Sequence, residues 1–220
     1  ELQEVERLLS QQYDFRFNEI KCKAEWRKAN TGQHWIAIDK YKLNSMKREI
    51  DTYGFKCSVD ALKQMVESDY APKVNPVKEY FKELPPWTEG ETDYIKELAE
   101  TVTVVNKKHW NDYLKRWLVG VVANAMVDEK CMNQCCLVLT GKQSAFKTTW
   151  LNNLCPPRLS RYLVTGKIDP NSKDAISRIA DYLFLNLDDK LSQINKKDEN
   201  ELKSLITTPQ VKKPSPVHHF

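Results

Sequence analysis

No apolar run in this chain approaches the roughly 20 residues that a membrane-spanning helix requires. Its longest such stretches, residues 118–123 and 135–139, are the size of core elements. No strong charge of one sign is present either: 34 Lys and Arg against 30 Asp and Glu leave a net charge of +4. That balance permits a local basic face for nucleic acid but does not demand one. Nothing at the N-terminus reads as a signal peptide, since Glu1-Leu-Gln-Glu is acidic and no apolar segment follows it. The first residue is not Met, so the chain reads as a fragment or a processed piece. Cys-x-x-Cys pairs are absent, and Cys131-x-x-x-Cys135 with no nearby His is a poor zinc pattern. His218 and His219 likewise lack partners for a metal. The six cysteines therefore read as free thiols of a reduced, cytoplasmic protein, with Cys135 and Cys136 acting as small hydrophobes. Neither an internal repeat nor a low-complexity stretch appears.

What is there is an ordinary globular balance, 41% hydrophobic and 29% charged, over a length that suits one large domain or two modest ones. Leu2, Val5, Leu8 and Leu9 fall at helical spacing. Tyr13-Asp-Phe-Arg-Phe then alternates as a strand, Asn18-Glu19 turns, and residues 20–27 return. This predicts a hairpin with Lys21, Lys23 and Arg16 on its wet face. From Asp39 the period becomes helical, with Leu43, Met46, Lys47 and Ile50 on one stripe and Tyr53-Gly54 as the stop. Ser58 caps a further helix that turns Ala61, Leu62, Met65 and Val66 inward. These elements predict a small α+β or helical module over residues 1–72, ended by Pro72 and Pro76. A helical lead-in over 73–130 follows. Its clearest helix, 108–127, carries Trp110, Tyr113, Leu114, Trp117, Leu118, Val121 and Val122 as a core-facing stripe.

Residues 131–220 read as strand, loop, helix, strand, an α/β nucleotide-fold order. Cys135-Cys-Leu-Val-Leu has the continuous apolar character of a parallel strand covered on both faces. Gly141-Lys-Gln-Ser-Ala-Phe-Lys-Thr-Thr follows it and opens a helix over 147–154, the context a phosphate-binding loop requires. Gly141, Gln143, Ser144, Ala145, Phe146, Lys147, Thr148 and Thr149 would surround a nucleotide. There Lys147 would reach the β- and γ-phosphates, and the Thr148 hydroxyl would ligate Mg²⁺. Phe146 occupies the second glycine of the pattern, where a backbone angle unfavourable to other residues is expected. A helix is expected over 174–181. A second buried strand, Tyr182-Leu-Phe-Leu-Asn-Leu, ends in Asp188-Asp189. In a Walker B reading Asp188 holds the Mg²⁺ through water, and Asp189 polarises the attacking water. The plainer reading makes both aspartates an exposed strand end.

The chain resembles the virulence-associated E family, phage- and mobile-element-encoded proteins with a P-loop helicase-type domain, often fused to or encoded beside a primase. The resemblance runs through Tyr13-Asp-Phe-Arg-Phe-Asn, Asn75-Pro-Val-Lys-Glu-Tyr-Phe, Leu84-Pro-Pro-Trp, Asp93-Tyr-Ile and Trp117-Leu-Val. It continues in Gly141-Lys-Gln, Lys147-Thr-Thr-Trp, Pro156-Pro-Arg-Leu, Tyr162, Thr165-Gly-Lys-Ile-Asp-Pro-Asn-Ser-Lys-Asp, Leu185-Asn-Leu-Asp-Asp and Leu202-Lys-Ser-Leu-Ile-Thr. It implies an ATPase of the AAA+/superfamily-three helicase type that works as a homo-oligomeric ring on DNA during replication of a mobile element. Lys147 and Thr148 match its Walker A pair, Asp188 and Asp189 its Walker B pair, and Lys173-Asp174 a further short motif. Ser144 and Phe146 stand where the family commonly has glycine, and Asp189 where it usually has Glu. The family's later polar sensor and the arginine that acts on a neighbour's ATP are not located before Phe220, so the core reads as incomplete. Arg158, Arg161 and Arg178 read as surface charges.

A nucleic-acid reading rests on residues 14–56. There Arg16, Lys21, Lys23, Arg27, Lys28, Lys40, Lys42, Lys47, Arg48 and Lys56 outnumber six acidic residues. Tyr13, Phe15, Trp26 and Trp35 are interleaved with them. Lys21, Lys23, Arg27, Lys28, Lys47 and Arg48 are the candidate contacts to single-stranded or forked DNA. The rings read better as the core of the small module. The function expected is therefore an ATP- and Mg²⁺-dependent DNA helicase or remodelling module with no membrane partner. The alternative is an inactive P-loop scaffold that binds DNA or partner subunits, in defence or regulation.

Overall fold

The computed structural model describes residues 2–127, 134–166 and 179–187, with 200, 203, 204 and 206. The chain divides into two compact units, Glu1–Glu79 and Tyr80–Phe220.

In the first unit, helix α1 (Leu2–Gln12) runs directly into strand β1 (Tyr13–Asn18), which pairs antiparallel with β2 (Lys23–Lys28). The turn between them is held by Asn18, whose Oδ1 accepts from the backbone N–H of Ile20 and Lys21 at 3.0 Å each. A short β3 (Ile36–Ala37) adds to the far edge of β2, and β4 (Lys73–Val74) adds parallel to β1, so the sheet runs β3-β2-β1-β4. The expected boundary at 72 moves to 79 because β4 and the buried Pro76 and Val77 of α4 (Pro76–Glu83) fall beyond it. Helix α2 (Lys40–Thr52) begins at Asp39, whose carboxylate accepts from Lys42 N–H at 2.7 Å. Helix α3 (Val59–Val66) begins at Ser58, which caps Ala61 N–H at 3.1 Å. Of the two stripes foreseen in the sequence, Leu43, Met46 and Ile50 from α2 and Leu62, Met65 and Val66 from α3 are buried, while Lys47 and Ala61 are only half-buried. The buried ones join Val5, Leu9, Tyr13 and Ala24 in one core, with Phe15, Phe17 and Trp26 packed against it.

Strand alternation puts Asp14, Arg16 and Asn18 on the opposite face, across from Arg27, Glu25 and Lys23. Lys23 on this face is exposed, as expected, but the centre of the face is not wet. Arg16 is buried, and its Nε donates to the fully buried Glu25 at 2.8 Å. Its guanidinium lies 4.4 Å from the Trp35 ring centre and 3.7 Å from Glu79 of α4. Arg16 is therefore a structural cation of the sheet, withdrawn from solvent by segments that arrive later in the chain.

In the second unit, α5 (Tyr94–Glu100) and α6 (Lys107–Met126) meet through Ala99, Trp110 and Leu114. Trp110 Nε1 donates to the Ala99 carbonyl at 2.9 Å. Of the expected α6 stripe, Trp110 and Leu114 are buried while Tyr113 and Val122 are exposed. The expected strand over 135–139 is not paired with another strand among the described residues, and Cys135, Cys136 and Val138 are exposed. Only alternate residues, Leu137 and Leu139, pack on the α5–α6 cluster, so the segment is covered on one side rather than two. Helix α7 (Lys147–Asn153) is followed by a 3₁₀ turn (Pro157–Tyr162) that buries Leu159 and Tyr162. The chain then enters β5 (Leu163–Thr165), which pairs parallel with β6 (Phe184–Asn186). β6 lies within the second strand foreseen in the sequence. β5, at three residues, is too short for a pattern to reveal.

Candidate functional site

Residues 141–146 form the turn that delivers the chain into α7. Gly141 has φ of 154°, Ser144 of 62° and Phe146 of 53°, while Ala145 between the last two is not left-handed. Alternation of hand at successive residues gathers backbone N–H groups on one side, the device of anion-binding nests. Phe146 is the residue before α7, is 78% exposed, and no side chain caps the helix there. The left-handed angle foreseen for this position is therefore real, and an aromatic residue bears it. Holding an L-residue there costs about 1–2 kcal/mol, while a glycine gives back about 0.5–1 in chain entropy. Phe146→Gly is thus expected to stabilise the second unit by about 0.5–1 kcal/mol in a denaturant titration. A loss of stability would mean that the ring makes a contact worth more than the strain.

Lys147, the first residue of α7, turns its ammonium back into the loop and donates to the carbonyls of Lys142 at 2.7 Å and Gly141 at 3.3 Å. Thr148 and Asn152 lie one turn apart on the side of α7 that meets β6. Asn186 Nδ2 donates to Asn152 Oδ1 at 2.7 Å and to the Thr148 carbonyl at 3.3 Å. On the opposite side of α7, Trp150 packs against Trp110 and donates its Nε1–H to Thr101 Oγ1 at 2.8 Å. Seven residues are too few for a helix to hold itself in water. The position of α7 is set by these two attachments, which sequence reasoning missed because each joins residues more than thirty positions apart.

Asp188 and Asp189, the proposed acidic pair, lie outside the described residues, as do Lys173, Asp174, Arg178, His218 and His219. The structure therefore places the residues proposed around the phosphates but not the acidic pair. Arg158 is exposed and pairs with Glu83 at 2.7 Å, and Arg161 is also exposed, in keeping with surface charges. Among the described residues no cluster of three or more His, Cys, Asp or Glu is arranged to hold a metal.

The cations of the first unit are spread rather than gathered. Arg27 donates to Asp14 at 2.8 Å with its guanidinium 4.5 Å from the Trp35 ring centre, and Lys47 pairs with Asp51 at 2.7 Å. Lys21 is half-buried, whereas Lys23, Lys28 and Arg48 are exposed. Lys23 and Lys28 stand at opposite ends of β2 and, by alternation, on opposite faces of the sheet. Lys42 lies 3.7 Å from the Trp26 ring centre and 4.0 Å from that of Tyr13, and burial holds its ammonium below the usual lysine range. Tyr13 in turn donates to Glu49 at 2.7 Å; burial, then that carboxylate, push its phenol up. Tyr13, Phe15 and Trp26 are core, as the alternation implied, but Trp35 is not: its ring lies against the guanidinium groups of Arg16 and Arg27.

A family model described as a virulence-associated protein E-like domain matches residues 82–216. The chain is thus of a class associated with phages and mobile elements. It belongs to the virulence-associated protein E-like family. The resemblance read over residues 13–18 and 75–81 falls before the matched span. No curated protein and no solved structure matches the chain. No described helix is long and apolar enough to cross a membrane.

Proposed function

We propose that the second unit is the nucleotide-binding part of an ATP-dependent, helicase-type DNA-remodelling module serving replication of a phage or mobile element. The observation that carries this reading is the 141–147 loop: alternating backbone hand, a lysine folded into it, and a helix leaving from it. Its residues fit a nucleotide's phosphates. Lys147 already satisfies its ammonium on carbonyls lining the turn, so a phosphate arriving there exchanges neutral acceptors for an anionic one, the stronger partner. Backbone N–H groups of the turn would hold phosphate oxygens, and the Thr148 hydroxyl is the candidate Mg²⁺ ligand. When bound, ATP supplies the phosphoanhydride whose cleavage would drive movement on DNA. DNA, a ring of like subunits and a primase are the partners this reading implies. Calorimetry with Mg²⁺-ATP tests it: binding in the micromolar range supports the reading, and no heat at millimolar nucleotide sinks it.

The second reading, an inactive scaffold, is favoured by one observation, the left-handed Phe146. Because that strain is present before nucleotide arrives, it cancels from the binding equilibrium, and Phe146→Gly should leave ATP affinity unchanged. A large gain in affinity would instead favour the scaffold.

A further inference from the structure

We infer that two faces of the second unit join one copy of this chain to another, the acidic loop over 83–94 of one copy seating on the outer side of α6 of the next; this names a contact for the ring of like subunits in the reading above and rests on that reading. Between Glu83 and Tyr94 the chain carries four carboxylates and no Lys or Arg. Glu83 is paired with Arg158, while Glu89, Glu91 and Asp93 face solvent. Leu84, Trp87 and Tyr94 are exposed among them, Trp87 at 59%. Exposed apolar anchors rimmed by charge mark protein-binding surfaces, and Trp and Tyr dominate the energy of such contacts. The loop is also held in shape. Trp87 Nε1 donates to the Thr92 carbonyl at 3.3 Å, and Glu91 N–H closes a turn on the Thr88 carbonyl at 3.1 Å. A preformed loop loses little freedom on docking.

The outer side of α6 supplies what the loop lacks. Trp110 and Leu114 define the inner side, so the helical period puts Lys108, Lys115, Val119 and Val122 opposite them. Lys107, Lys108, Lys115 and Arg116 against Asp112 make the first half basic, and all five are exposed. Val119, 57% exposed, and Val122 then leave apolar surface in water. Phosphate does not suit this pair of faces: the loop repels it, and the valines give it nothing to hold. Acid against base and apolar against apolar make the two faces complementary. Identical faces would repel, so the contact joins unlike ones, the head-to-tail kind from which closed rings are built.

Sedimentation of the full chain without nucleotide tests this. Self-association in the micromolar range is expected, weakening about tenfold between about 0.1 and about 1 M salt as the Debye length falls. Trp87→Ala should weaken it by about tenfold or more. Glu89→Lys with Glu91→Lys, and separately Lys115→Glu with Arg116→Glu, should each leave monomers. Mixing the two reversed proteins should restore association, because each then meets its complement. Every altered position is exposed, so folding is not at stake. A monomer at every concentration, or association that ignores either reversal, overturns the contact. So does a reversal on α6 that lowers only the binding of a single-stranded oligonucleotide, which would make that side a nucleic-acid face. With nucleotide absent, the contact can fail while ATP binding stands, and a chain that associates but binds no ATP keeps the contact and loses the motor.

Discussion

Lys147→Ala is expected to remove Mg²⁺-ATP binding from this chain, lowering affinity by about 100-fold or more. A hydrogen bond to a charged group contributes about 1.5–3 kcal/mol, and a phosphate-bound lysine makes more than one. Two such bonds convert to about two to four decades in Kd. The offsetting cost is small, because the bonds given up in the free state are to the neutral carbonyls of Lys142 and Gly141. Folding should be unaffected, since alanine is the better helix former at the first position of α7 and Lys147 packs in neither hydrophobic cluster. The result to look for is a lost calorimetric signal with an unchanged thermal midpoint. A variant that binds like the parent would show that the loop holds phosphate without its lysine or that ATP binds elsewhere.

The sequence made the loop legible because its signal is local: a glycine, a lysine and a threonine at fixed spacing before a helix. Even the unfavourable angle at Phe146 could be foreseen, since the pattern places a glycine there. The attachments of the helix could not be foreseen. Trp150 meets Thr101, and Asn152 meets Asn186, across separations that only the folded chain closes. The segment over 135–139 shows the limit of composition in the other direction. A continuous apolar run resembles a doubly covered strand, yet only Leu137 and Leu139 find a surface to pack on. In the first unit, strand alternation assigned both faces of the hairpin to the correct residues. It misjudged what lies on the second face, because Trp35 and α4 reach Arg16 from outside the hairpin.

That misjudged face carries the largest expected stability effect in the molecule. Glu25 is fully buried and accepts from Arg16 at 2.8 Å and from Asn18 Nδ2 at 3.0 Å. Removing one partner of a buried pair strands the other charge, which costs about 3–5 kcal/mol, whereas replacing both by apolar residues of similar size is often near neutral. Arg16→Ala should therefore destabilise the first unit by about 3–5 kcal/mol in a urea titration, and Arg16→Met with Glu25→Leu together should recover most of that loss. Glu79 provides the contrast. It reaches the same guanidinium at 3.7 Å, but half its side chain is exposed, and pairs open to water are worth about 0–1 kcal/mol. Glu79→Ala should accordingly shift the urea midpoint little. If Arg16→Ala and Glu79→Ala prove equally mild, the Arg16–Glu25 pair is not what holds this face together, and packing holds it instead.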